Sequence, residues 1–239
     1  MDINIYLLCY NEELIIQHTI NHYKSKFPNC IITIYDNMSS DSSELIAKNN
    51  NCNVIKFNTQ GEDNELIKRK IINTCWQNVK KGWIIVADMD EWLDITMNDL
   101  IEEYNKSTSI LSIQGCDMIG ESNSILLDDI DLNSINKYVY NENLSKNICF
   151  LREKINKMNY TAGHHKCNPK SNQLIKYSTK IYNLKHMNFL GLPYITNKII
   201  NRYKRNQMMQ KIKLNVHYTD NVNKITEQYK RLLSISNVY

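Results

Sequence analysis

Up to about residue 90 the chain alternates between short apolar runs and longer stretches whose apolar residues recur at helical spacing. INIYLLC (3–9), IITIYD (31–36), NVIKF (53–57) and WIIVAD (83–88) are rich in β-branched and aromatic residues, as strands buried on both faces should be. Between them, 12–26 places Leu14, Ile15, His18, Ile20 and Tyr23 on a helical stripe. Residues 64–80 do the same with Leu66, Ile67, Ile71, Ile72, Cys75, Trp76 and Val79. DNMSSDSS supplies turn and N-cap residues before a brief helix, ELIAKNN. Strands alternating with helices need crossover connections, which gives an α/β fold: a Rossmann-like, mostly parallel central sheet with helices on both faces.

In such sheets ligands bind in the crevice outside the carboxyl ends of the strands. Three of these strands end in polar or acidic residues: Asn11 and Glu12 after the first, Asp36 and Asn37 after the second, Asp88 and Asp90 after the fourth. In VADMDEW the two aspartates are alternate residues of an extended segment, so they point the same way and can present two carboxylates to one divalent ion. Hard oxygen ligands suit Mn²⁺ or Mg²⁺, which in turn bridges the oxygens of a diphosphate. Asp36 also suits an Asx turn capping the serine-rich loop.

Composition narrows the function classes. The net charge of +4 comes from 29 basic and 25 acidic residues spread along 239 positions without a run of five or six like charges, a balance that argues against a dedicated nucleic-acid binder. Seven widely spaced cysteines form no C-x-x-C pair and read as free thiols in a reducing compartment. MDINIYLLCYNEE meets Asn and Glu too soon for a signal peptide or a membrane span, so the expectation is a soluble cytoplasmic protein with no transmembrane segment.

The second half departs from simple alternation. SILSIQGCDM (109–118) reads as a fifth strand, and 119–145 as a polar loop of a length that suits an acceptor lid or plain surface disorder. NICFLREKI and LIKYSTKIYNL read as strands around TAGHHKCNPKS, which puts His164 and His165 at a turn. The tail, 193–206 and 221–235, reads as two amphipathic helices. The first sets Tyr194, Ile195, Ile199, Ile200 and Tyr203 opposite Lys198, Arg202, Lys204 and Arg205. Such a basic face either lies on a membrane surface or, as favoured here, turns to water while the apolar face packs on the sheet.

Taken in order, LLCYNEE, YDNMSSDSS, RKIINTCW, WIIVADMDEWL, GCDM, GHHK and HMNFLG resemble the successive signatures of family 2 glycosyltransferases of GT-A fold, from residue 3 to about 235. The resemblance is to the compact branch with D-x-D-E-F/W, G-x-H and H-[YM]-x-x-L-G motifs. It implies a single domain over 1–239, with a nucleotide-sugar-binding half (1–108) and an acceptor-binding half (109–239). It also implies transfer of a sugar from a nucleoside-diphosphate sugar, UDP-sugar favoured, to a glycan hydroxyl with inversion.

On that resemblance Asn11, Glu12, Asp36 and Asp88 hold the nucleotide-sugar, and Asp88 and Asp90 the metal, Mn²⁺ or Mg²⁺. Arg69 lies in a segment that lines the donor site, though its neighbours Lys68 and Lys70 equally suggest a solvated face. His186 completes the metal site, favoured over His165, with Gly191 letting the backbone approach the diphosphate and Lys185 and Lys198 near its charge. His164 and His165 are then acceptor-binding. The general base is open between Asp117 and Glu121. A nucleotidyltransferase is the alternative enzyme, lacking here the glycine-rich loop it usually carries after the first strand, since CYNEE has none. A non-catalytic sugar- or nucleotide-binding module is the other.

Overall fold

The computed structural model describes residues 1–211 and 219–239. The first half is β1 (Ile3–Cys9), α1 (Ile16–Lys26), β2 (Ile31–Asp36), α2 (Ser43–Asn49), β3 (Asn53–Lys56), α3 (Glu65–Thr74) and β4 (Trp83–Asp88), in the expected alternation. There follow β5 (Glu91–Asp94), α4 (Met97–Asn105), β6 (Ile110–Ile119), β7 (Lys137–Tyr140), β8 (Cys149–Leu151) and β9 (Tyr177–Phe189). The tail forms α5 (Leu192–Arg205), α6 (Gln207–Lys211), α7 (Val222–Ile235) and β10 (Asn237–Val238).

The ten strands of the described residues join one sheet, ordered β10-β7-β6-β8-β4-β1-β2-β3, with β9 beside β6 and β5 beside β9. β1 pairs in parallel with β2 and β4, and β2 with β3. β8 is antiparallel to β4 and to β6, and β9 runs parallel to β6, so β1 to β4, β6 and β9 all point the same way. Their carboxyl ends therefore lie along one edge.

Alternation along the strands divides the core. Ile5 and Leu7 of β1 with Ile85 and Ala87 of β4 face α1, where Ile16, Ile20 and Tyr23 are buried. Tyr6, Ile84 and Val86 face the other way onto Ile72 and Trp76. A third cluster packs Ile195 of α5 and Ile225, Tyr229 and Leu232 of α7 over Ile119 and Phe189. Local signals mark the helix starts: Asn64 accepts from Leu66 and Ile67 N–H, and Thr96 with Asp99 forms a reciprocal capping box.

Two stretches differ from expectation. The segment 119–145 is not one loop, because its KYVY pairs antiparallel with β6 as β7. The run LIKYSTKIYNL continues as β9 through His186 to Phe189, since β5 on one side and β6 on the other satisfy its backbone. No helix among the described residues is long and apolar enough to cross a membrane.

Candidate active site

The register of β9 explains much of the site. His186 pairs with Glu91 on β5 and with Asp117 on β6, so the three side chains stand abreast on one face. His186 Nδ1 lies 2.6 Å from Asp117 Oδ1, and its Nε2 lies 3.3 Å from Asp90 Oδ2. Asn141 Nδ2 donates to the other Asp117 oxygen at 2.8 Å, which fixes that carboxylate from both sides.

Asp90 is buried and held by a second cation, Lys198 of α5, at 2.7 Å. Burial alone would raise the Asp90 carboxyl, but Lys198 and His186 override it and hold it well below the usual carboxylate range. Burial lowers the His186 imidazole, yet Asp90 and Asp117 more than offset this and push it up to about 10. Asp88 is also held low: burial opposes this, and Lys146 and His164 outweigh it.

Two clefts meet on this ridge. The first, about 410 Å³, runs over the tips of β1 and β2 and is lined by Tyr10, Asn11, Glu12, Asn37, Phe57 and the basic face of α5. The second, about 590 Å³, lies over β6 and β9 and includes Asp117, Asn141, His164, His165, His186 and Asn188. Leu8, Lys68, Asp88, Asp90, Lys198 and Arg202 line both. A ligand spanning the clefts must pass two carboxylates and three cations.

Asn11 sits at φ 51°, the left-handed turn that asparagine tolerates, and its side chain accepts from Ser40 N–H at 2.8 Å. Glu12 Oε2 is 4.0 Å from Lys198 Nζ. Asp36 is 1% exposed and accepts from the N–H of Ser39, three residues on, which ties down the serine-rich loop, and it is Asn37 beside it that lines the first cleft.

Other expected residues stand outside both clefts. Arg69 is exposed on the outer side of α3, which instead turns Lys68 inward to Asp63 and Glu65. Lys185 is the neighbour of His186 on a strand and so faces the other way, where it pairs with Asp94 at 3.0 Å and lies over the Tyr239 ring. Glu121 is exposed and paired with Lys137. A Cβ on Gly191 would meet Ser122 O at 2.2 Å, so this glycine admits the backbone of Ser122, and it lines neither cleft.

Sequence reasoning left the basic face of α5 to water. Three of its residues turn inward because partners await them, two acids and a ring: Lys198 meets Asp90, Arg202 Nε lies 3.0 Å from Asp63, and the Arg205 guanidinium lies 3.3 Å over the Tyr10 ring. Glu91 and Lys146, an ion pair exposed by only 1% and 3%, were not expected at the site either. The signal for Glu91 was present in the sequence, as the residue after the D-x-D.

His165 is exposed, with Nδ1 2.6 Å from Asn143 O. His164 is 2% exposed, and burial pushes its imidazole down to about 4. A divalent cation therefore has two sets of donors at the ridge: Asp90 with His186, or Asp88, Glu91 and His164, whose ligand atoms lie within 4.8 Å of one another. The chemistry of both sets, carboxylate oxygen with imidazole nitrogen, fits Mn²⁺.

No family model matches the sequence. Protein RfbJ of Shigella flexneri is 26% identical over 115 residues, 48% of this chain and 84% of RfbJ. Among solved structures, S. aureus TarS aligns with 97% of this chain at 12% identity and a TM-score of 0.48, and the chain spans only 43% of that protein's length. The 1–349 portion of TarS in complex with UDP-GlcNAc aligns with 98% of this chain at 12% identity and a TM-score of 0.47, the match covering 73% of that portion. Glucosyl-3-phosphoglycerate synthase from Mycobacterium tuberculosis, in complex with Mn²⁺, UDP and glucosyl-3-phosphoglycerate, aligns with 47% of this chain and 43% of its own at 12% identity and a TM-score of 0.34.

Proposed function

We propose that this chain is a metal-dependent glycosyltransferase that moves a sugar from a nucleoside-diphosphate sugar, UDP-sugar favoured, to an acceptor hydroxyl of a glycan. The observation that carries the reading is the junction of the two clefts over Asp88, Asp90, Lys68, Lys198 and Arg202. A nucleoside diphosphate needs a polar pocket for its base and ribose, and cations where its charge develops on departure. The first cleft supplies Asn11, Glu12 and Asn37 for the former and the α5 cations for the latter.

The reacting sugar then sits over the aspartates and the acceptor enters from the second cleft. Inversion needs a general base on the acceptor side. Asp117 fits that role, because it lines the second cleft and is oriented by Asn141 and His186. Glu121, outside the cleft, does not. His165 and Asn188 are placed to bind acceptor hydroxyls. A bound divalent cation supplies Lewis-acid stabilisation of the leaving diphosphate.

The test is nucleotide release from a panel of UDP- and GDP-sugars, with Mn²⁺ and neutral sugar acceptors, compared with an Asp88→Asn variant. Turnover of one donor class by the wild type, lost in the variant, supports the reading. Absence of turnover and of nucleoside-diphosphate binding across the panel removes it.

A further inference from the structure

His164 is the most anomalous side chain of the site. It is 2% exposed, and neither ring nitrogen has a hydrogen-bond partner within the protein. A buried polar group left unpaired costs on the order of 1–3 kcal/mol, so such a group is a sign of a missing ligand. The turn that carries it is itself held in an unusual backbone: Gly163 and His164 have φ of 66° and 60°, and a left-handed histidine persists only where its surroundings enforce it. They do so here, since Gly163 N–H donates to Glu65 of α3 at 3.2 Å and the Tyr160 ring meets the imidazole edge-on at 5.4 Å.

The imidazole is thereby presented to Asp88 and Glu91, with one ligand atom of each of the three residues within 4.8 Å of the others. Glu91 is already placed: Lys146 pairs with Oε1, and Asp88 N–H donates to Oε2 at 3.1 Å. Each carboxylate oxygen keeps a further lone pair for a ligand. The two carboxylates and the Lys146 ammonium thus stand beside an imidazole with no partner for either nitrogen. The three residues also line the second cleft, which gives an ion a route in and leaves room for further ligands.

By contrast, both nitrogens of His186 have carboxylate partners, Asp117 at 2.6 Å and Asp90 at 3.3 Å, and Asp90 already holds the Lys198 ammonium at 2.7 Å. We infer that the divalent cation of this site is held by Asp88, Glu91 and His164, on the acceptor side of the ridge, and that Asp90 and His186 instead form an ion-paired relay between Lys198 and Asp117. The inference rests on the transferase reading only for the use of the ion. The donor set itself, with one imidazole and two carboxylates, selects Mn²⁺ or Zn²⁺ over Ca²⁺.

The test uses Mn²⁺ alone, without nucleotide, on the full chain. Electron paramagnetic resonance titration counts bound Mn²⁺, and its electron spin-echo modulation reports an imidazole nitrogen on the ion. The wild type binds one ion with imidazole modulation. His164→Ala weakens binding at least about tenfold and abolishes the modulation, whereas His186→Gln keeps both. Modulation that survives in His164→Ala and disappears in His186→Gln overturns the assignment, as does a wild-type ion without imidazole modulation. If His164→Ala does not fold, His186→Gln decides by itself: modulation retained supports the assignment and modulation lost overturns it. A protein that binds Mn²⁺ through His164 but no nucleoside diphosphate would retain this site and lose only the transferase reading.

Discussion

Lys198 Nζ lies 2.7 Å from Asp90 Oδ2 across 108 residues of sequence, and both side chains line both clefts. The contact ties α5 to the tip of β4. It also keeps a cation, pushed well above its usual pKa by Asp90 and Glu12 against the cost of burial, where a diphosphate must pass. Lys198→Met removes that cation and leaves Asp90 with His186 as its remaining cationic partner. Charge-assisted hydrogen bonds contribute roughly 1.5–3 kcal/mol, so UDP affinity measured by calorimetry should fall about 10- to 100-fold. Unchanged affinity would place the diphosphate elsewhere.

Asp117 is fixed by Asn141 and His186 and does not line the first cleft. Asp117→Asn should therefore lower turnover by about 10²–10⁴ while leaving the nucleotide dissociation constant within about twofold. Asn141→Ala, which frees one carboxylate oxygen without removing the base, should show a smaller loss in the same direction. If Asp117→Asn turns over as fast as the wild type, proton removal belongs to another group.

These residues show what was legible in sequence and what was not. The strand–helix alternation predicted β1 to β4, because a strand buried on both faces has a compositional signature that needs no tertiary knowledge. The acids at the strand tips followed from the same reading. Lys185 and His186 were harder to separate, as adjacent residues of a strand face opposite ways and the phase of β9 is set by its pairing with β5 and β6, a nonlocal fact. Arg69 and Lys68 posed the same problem on α3. The inward basic face of α5 was hidden for a different reason: a helix periodicity shows which residues share a face, but not that Asp63 and Asp90 wait opposite.

His22 gives the fold a pH dependence. It is 5% exposed, stacked on Trp92 with centroids 4.8 Å apart, with Nε2 3.1 Å from Leu93 O, and burial lowers its pKa from 6.5 to about 4. Between those values the unfolded chain binds a proton that the folded chain does not. The contribution is thus fully present above pH 6.5 and is lost as pH falls toward 4, by about 2–3 kcal/mol at pH 4.5. Urea unfolding at pH 7 and 4.5 should show this loss in the wild type and a smaller one in His22→Gln. Equal losses would mean that other groups carry the acid sensitivity.

The most direct measurement is a crystal structure of the protein grown with UDP and Mn²⁺. The account predicts the base and ribose in the first cleft beside Asn11 and Asn37, the diphosphate within hydrogen-bond reach of Lys198, and the β-phosphate directed across the Asp88–Asp90 ridge toward Asp117. A nucleotide bound away from that ridge, or both clefts free of nucleotide at saturating UDP, would contradict it.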